Sequence, residues 1–249
     1  MMEYWYEDMI RFLKDASEYG SYDQELARWM APYLRGKRTI CDAGCGLGYL
    51  SLALAPYVEQ VFSVDKSPRA TGVLAENCKR YGITNVRPVC GEVAMVPPGE
   101  KYDAMVFCFF GGIWEVLSAA KQQCDGTVFI ITRNYTTHRF SVGVHSTGKY
   151  GYHSASRVLK DLGIPFEETF LDLEFGQPFR SLEDARKFFE MYSKDEEKSA
   201  ITDEFLRSKV VEQSHELYPL YMPHRRNMAI IRFDTKYIPE LPADWEEQE

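Results

Sequence analysis

The chain has 249 residues, 45% of them hydrophobic and 27% charged, a balance that suits one α/β domain with additions and argues against a disordered or fibrous protein. Its formal net charge of -8 sets the average surface field against phosphate backbones, so a nucleic-acid partner is not expected. No uncharged apolar run approaches the ~20 residues that span a bilayer, and the opening MMEYWYEDMIRFL carries acids and aromatics where an export signal carries bases; a cytoplasmic protein without membrane association is expected.

The first predicted element is an amphipathic helix over Glu3 to Ser17, with Trp5, Met9, Phe12, Leu13 and Ala16 on one stripe and Gly20 as its stop. A second helix is signalled by Ser21 with Gln24 three residues on, a capping-box pattern, and by Leu26, Trp29, Met30, Tyr33 and Leu34; Pro32 should bend it. From Thr39 short apolar runs alternate with helical patterns: TICDA, a helix from Tyr49 to Ala55, VFSVD, a helix from Pro68 to Tyr81, and VRPVC. Ser67 as N-cap, Pro68 at the first helical position and Gly82 just past the end fix the boundaries of the Pro68 helix. Further strands are YDAMVFCF, TVFIITR, FEETFLDLEF and NMAIIRF, with helices at Ile113 to Gln123 and Ser154 to Leu162. Helices separate the first five of these seven strands, which predicts a parallel sheet with right-handed crossovers, while the last two can pair antiparallel.

Two segments break the rhythm. Residues 134–151 form a loop rich in Thr, Ser, His and Tyr, long enough to cover a site. Residues 177–226 carry two helical patterns, one opened by a capping box of Ser181 with Asp184 and one starting near Thr202, and read as an inserted helical cap. The six cysteines are expected as free thiols, and neither a CxxC pair nor another zinc-site spacing occurs, so no metal is expected.

Chemistry concentrates in TICDAGCGLGYLSLALA, where an apolar strand ends in Asp42 and leads through Gly44, Cys45, Gly46 and Gly48 into a helix. Glycines permit a tight turn and close approach of a ligand, and the N–H groups at a helix start favour a polar or anionic group. A second acid, Asp65, ends the next strand about twenty residues on, where a doubly wound fold sets a carboxylate against ribose hydroxyls. Tyr49 stands where the dinucleotide fingerprint GxGxxG would need its third small residue, so the pattern is DxGxGxG from Asp42.

That pattern resembles motif I of the class I S-adenosylmethionine-dependent methyltransferases, and the resemblance continues through Asp65, the CGEV at Cys90 to Val93, and YDAMVFCFF. It covers roughly Tyr22 to Phe175 plus NMAIIRF, and implies a Rossmann-like α/β fold: a seven-stranded mixed sheet of order 3-2-1-4-5-7-6, helices on both faces, and a helical insertion between the last two strands. It also implies S-adenosylmethionine as cofactor, with Asp42 and Gly44 to Gly48 at the methionine part. Asp65 and the adjoining Lys66 would lie at the ribose, Glu92 and Val93 at adenine, and Cys108 with Phe109 near the sulfonium. The corresponding division is N-terminal helices over 1–36, a cofactor-binding core over 37–176 and 227–235, the insertion over 177–226 as an acceptor cap, and a tail over 236–249.

Methyl transfer needs alignment more than a base; His138, His145 and His153, in or beside the long loop, are the candidates if one exists. Tyr4, Trp5 and Tyr6 either close over the cofactor or simply pack. YDAMVFCFFGG lacks the NPPY or DPPY tetrapeptide that such enzymes use on nucleobase amines, so a small-molecule acceptor is expected. Two other readings remain open: a non-catalytic S-adenosylmethionine-binding regulator or partner protein, and propylamine transfer, for which no acid cluster follows the fourth strand. Neither the acceptor nor the oligomeric state follows from these residues.

Overall fold

The structure is a computed structural model that describes residues 5–95, 99–135, 140–143 and 151–242. Two helices, α1 (Glu7–Tyr19) and α2 (Tyr22–Leu34), precede the sheet. Then come β1 (Thr39–Ala43), α3 (Tyr49–Leu54), β2 (Gln60–Asp65), α4 (Pro68–Tyr81), β3 (Val86–Cys90), β4 (Tyr102–Cys108), α5 (Ile113–Gln123), β5 (Cys124–Arg133), α6 (Tyr152–Asp161) and β6 (Glu167–Glu174). The insertion holds β7 (Gln177–Phe179), α7 (Leu182–Tyr192), α8 (Asp203–Lys209), β8 (Val211–Glu212) and β9 (Leu220–Met222), and β10 (Arg225–Asp234) returns to the sheet.

The sheet order is β3-β2-β1-β4-β5-β10-β6, the predicted order with β10 as the seventh strand of the large sheet. Strands β1 to β5 pair in parallel, and β10 lies antiparallel between β5 and β6. Side chains alternate across the sheet as the two-residue period requires. Ile40, Ala104, Val106 and Phe129 pack with α2, α3 and α4 on one face, and Cys41, Met105, Phe107 and Val128 pack with α5 and α6 on the other. The C-terminal ends of the parallel strands therefore form one rim, to which β10 contributes its first residues.

Local signals account for most boundaries. In α4 the Ser67 hydroxyl accepts the Ala70 N–H at 3.2 Å, and Gly82 adopts φ 65° beyond the last turn, so both predicted caps are present. The Ser181 cap of α7 is present too, accepting the Asp184 N–H at 3.1 Å. Ser21 precedes α2 as predicted but does not cap it: its hydroxyl is turned to donate to Glu25 one turn on, and it accepts no N–H of the first turn. Pro32 lies inside the last turn of α2, which runs on to Leu34.

The insertion differs from the purely helical cap expected. Beside α7 and α8 it contains a three-stranded antiparallel sheet of order β7-β9-β8, whose strands of two or three residues are too short to display a period in sequence. A third apolar cluster joins Phe179, Phe188, Phe189 and Met222 of the insertion to Phe12 of α1. Polar ties reinforce it: Arg11 donates to Asp184 at 2.7 Å, Arg180 to both oxygens of Asp15 at 3.1 and 3.0 Å, and Tyr19 to Gln213 at 2.7 Å. The stripe on α1 thus packs on the insertion through Phe12. No helix among the described residues is long and apolar enough to cross a membrane.

Candidate functional site

Where β1 ends, the chain turns on residues that only glycine tolerates. Gly44, Gly46 and Gly48 have φ of 71°, 53° and 76°. A Cβ on Gly44 would stand 2.0 Å from the Phe110 ring, and one on Gly48 would stand 2.4 Å from Leu74. At these two positions glycine is demanded by the protein's own packing, whereas Gly46 faces the Trp5 indole at the mouth of a cavity. The loop N–H groups are largely committed: Gly44 and Cys45 donate to the Val64 carbonyl at 2.8 and 3.0 Å, and Gly48 donates to Cys45 at 2.9 Å. Gly46 donates to Asp65 Oδ2 at 2.9 Å. The loop is therefore a rigid shelf clamped to the neighbouring strand tip.

The two strand-end acids occupy different surroundings. Asp65 is half-buried, accepts from Gly46 and from the Ser67 N–H at 2.9 Å, and stands beside the cavity outside its wall. Asp42 is 1% exposed, lines the cavity and accepts from the Ser51 hydroxyl at 2.5 Å. Burial raises its carboxyl to about 7, the charges of Asp23 and Asp65 push the same way, and the Ser51 hydrogen bond opposes.

The cavity, about 390 Å³, opens at the rim between the β1 loop, the end of β4, α1, the start of α2 and the insertion. Trp5, Met9, Phe12 and Leu13 of the predicted α1 stripe line it, so that stripe covers a pocket as well as packing. Asp23, 8% exposed, faces the same space; burial raises its carboxyl to about 6 against the Ser17 hydroxyl and Arg226, and its Oδ2 has no hydrogen-bond partner. In the same cavity the Arg226 guanidinium, on the second residue of β10, lies 4.0 Å from the Phe175 ring centre, 5.0 Å from Phe109 and 5.2 Å from Tyr22. Cys108 is half-buried on the wall; burial first, then the Asp42 and Asp23 charges, raise its thiol despite Arg226, and the Cys45 thiol is likewise raised by burial. Both stay protonated near neutrality. Phe109 is 41% exposed and holds φ 53°, with its N–H donating to the Ile131 carbonyl at 2.8 Å. Carrying a left-handed backbone without being glycine, it projects its ring at the rim.

Of the residues singled out from sequence, Asp42, Gly44, Cys45, Gly46, Gly48, Cys108 and Phe109 are brought together on this wall. Asp65, Lys66, Glu92 and Val93 line a neighbouring stretch of the rim at the tips of β2 and β3; Lys66 and Glu92 are exposed, and Val93 is buried with its carbonyl accepting from Gln123 at 2.5 Å. His153 is exposed on α6 against Tyr152 and does not reach the cavity. His138, His145 and Tyr4 lie outside the described residues. Sequence reasoning missed Asp23, Tyr22, Phe175 and Arg226. Asp23 lies two residues after Ser21, which reads as a cap, and Arg226 sits at a strand start with no motif around it.

Residues 40–125 match the family described as a methyltransferase domain. A protein-L-isoaspartate O-methyltransferase 2 of Marinobacter nauticus is 31% identical over 91 residues, 36% of this chain and 41% of that protein. An uncharacterized RNA methyltransferase of Halalkalibacterium halodurans is 35% identical over 90 residues, 34% of this chain and 19% of that protein. The chain thus spans less than half the length of these curated relatives. Among solved structures, the YcgJ protein of Bacillus subtilis aligns with TM-score 0.54 at 13% identity, covering 86% of this chain and 99% of that one. A coclaurine N-methyltransferase bound to N-methylheliamine and SAH aligns with TM-score 0.50 at 16% identity, over 85% of this chain and 72% of that one. At such identities the structures speak for the fold alone. The chain thus carries a segment matching a methyltransferase domain over residues 40–125, set in a seven-stranded sheet whose fold it shares with these structures.

Proposed function

We propose that the chain binds S-adenosylmethionine on the rim between β1, β2 and β4 and transfers its methyl group to a small molecule held in the adjoining cavity. The observation that carries this reading is the pair of buried acids, Asp42 and Asp23, on a cavity wall shared with the glycine loop, with one Asp23 oxygen lacking any partner. An acidic, water-poor wall suits a positively charged ligand, and the donor set fits this cofactor. When bound, S-adenosylmethionine supplies an electrophilic methyl group on a sulfonium.

Asp42, Asp23 and the Gly44 to Gly48 shelf, with Cys45 in it, would hold the methionine end and offset its positive charge. Asp65 already accepts two N–H groups but keeps lone pairs for ribose hydroxyls, with Lys66 beside it. Glu92 and Val93, at the tip of β3, would meet the adenine. Cys108 and Phe109 would border the reacting atoms. Residues 1–36 and the insertion over 177–226 form the cover, the core comprises 37–176 and 227–235, and 236–249 is a tail. With no described histidine on the cavity wall, alignment and exclusion of water supply the rate, which for well-oriented reactants can amount to roughly 7–11 kcal/mol of the barrier. The net charge of -8 and a cavity roofed by the chain's own α1 favour a small acceptor over RNA.

Calorimetry with S-adenosylmethionine and S-adenosylhomocysteine tests the cofactor, and absence of binding at millimolar ligand ends the proposal. Transfer of a radiolabelled methyl group into a metabolite extract tests the activity. Binding without transfer to metabolites or protein fractions would leave the chain a cofactor-binding regulator.

A further inference from the structure

Arg226 borders the cofactor half of the site from the other half of the sheet, next to Phe109. Its strand, β10, lies beyond both β4 and β5 from the glycine loop of β1, and its guanidinium reaches back over the rim to Phe109. Among the described residues no carboxylate forms an ion pair with it: its polar neighbours include the Tyr22 and Tyr135 side chains and the Cys108 thiol, with Tyr22 and Cys108 held protonated by burial. Asp23 shares its cavity but does not pair with it, keeping one oxygen unpartnered. A cation set among aromatic rings is partly compensated by their π faces, yet those contacts leave its N–H edge without an anion. The flat, two-pronged edge of a guanidinium matches a carboxylate. Around it the wall is apolar and aromatic, with Phe109, Phe140, Phe175 and Phe188 facing the same space. Asp23 and Asp42, which line the same cavity, disfavour a dianion such as a phosphate monoester, so a monoanion is the better fit to Arg226.

We propose that Arg226 is the anchor for the methyl acceptor, and that the acceptor is a small carboxylic acid with a planar apolar body, its carboxylate on the guanidinium edge and its rings among the phenylalanines. This deepens the methyltransferase reading and rests on it for the word acceptor. The pocket's preference for a planar monoanion can be read independently of methyl transfer.

The test uses the full chain saturated with S-adenosylhomocysteine and a matched pair of probes, 2-naphthoate and 2-naphthamide, which differ in charge but hardly in shape. The carboxylate is expected to bind at least about tenfold more tightly than the amide, and Arg226→Met to reduce that preference to within about twofold while S-adenosylhomocysteine affinity stays within about threefold. Equal binding of the two probes to the unaltered protein, or a preference that survives Arg226→Met, overturns the proposal. So does a loss of about tenfold or more in S-adenosylhomocysteine affinity in that variant, which would assign Arg226 to the cofactor. If Arg226→Met does not fold, Arg226→Lys is read instead: it keeps the charge but not the flat edge, and an unchanged preference in it overturns the idea. Should S-adenosylhomocysteine fail to bind at all, the methyltransferase reading falls, and the probe pair on the ligand-free chain still decides whether Arg226 anchors a carboxylate.

Discussion

Replacing Asp42 by Asn removes a buried charge while keeping the shape of the side chain. Burial raises the Asp42 carboxyl from near 4 to about 7 in the folded chain, with Asp23 and Asp65 adding to the effect. The unfolded chain keeps the ordinary value, so between about pH 4 and pH 7 unfolding releases a proton that the folded protein retains. The contribution of Asp42 to stability is therefore fully present below about pH 4, is lost as pH rises to about 7, and stays flat above. At about 1.4 kcal/mol for each tenfold change in proton affinity, the loss amounts to about 4 kcal/mol. Asp42→Asn cannot lose it. The variant forfeits part of the Ser51 hydrogen bond at every pH, at about 1–3 kcal/mol. The expected result is a variant less stable than the parent near pH 4 and comparable or more stable near pH 8, with the difference swinging by about 4 kcal/mol. Urea unfolding of both proteins across that range measures it. Parallel stability curves would refute the reasoning, because they would mean that the site solvates the carboxylate as well as water does. Asp23→Asn should show the same sign, its swing ending near pH 6 rather than 7.

Three further outcomes are expected. Asp65→Ala, which strips an acceptor from the Gly46 and Ser67 N–H groups and from the proposed ribose, should weaken cofactor binding by about 2–3 kcal/mol in calorimetry; unchanged affinity would move the ribose elsewhere. Gly48→Ala should cost about 2–5 kcal/mol in urea unfolding, since its φ of 76° is left-handed and the new Cβ would stand 2.4 Å from Leu74. Phe188→Ala should remove about 3–5 kcal/mol from the packing of the insertion on α1, seen as faster amide exchange in α7 and α1 together; exchange confined to α7 would show that the two are not coupled.

The sheet was legible because each strand of the core is long enough to show its period and each helix beside it has chemical punctuation. Pro68 after Ser67 and Gly82 past Tyr81 are local signals, and local signals survive folding unchanged. Ser21 shows the limit of that logic: its hydroxyl is oriented by the Glu25 carboxylate rather than by the N–H groups of the first turn. The three short strands of the insertion carry no pattern, and their pairing is dictated by neighbours that are distant in sequence. In the site, the glycine loop with Asp42 was readable as a contiguous motif. Asp23 and Arg226 were not, because their meaning comes from facing one cavity across nearly the whole chain. What the motif does not display is that Phe110 and Leu74 already forbid side chains at Gly44 and Gly48, before any ligand is considered.

The bonds from Arg11, Asp15 and Tyr19 to the insertion fasten α1 along its length to a separate part of the chain. The same helix roofs the cavity with Trp5, Met9 and Leu13. Were the helix to swing aside to admit a ligand, it would have to carry α7 with it or break the Arg11–Asp184 and Arg180–Asp15 links. A turnover clock set by that hinge would slow in viscous solvent and quicken when salt loosens the links, whatever the chemistry beneath.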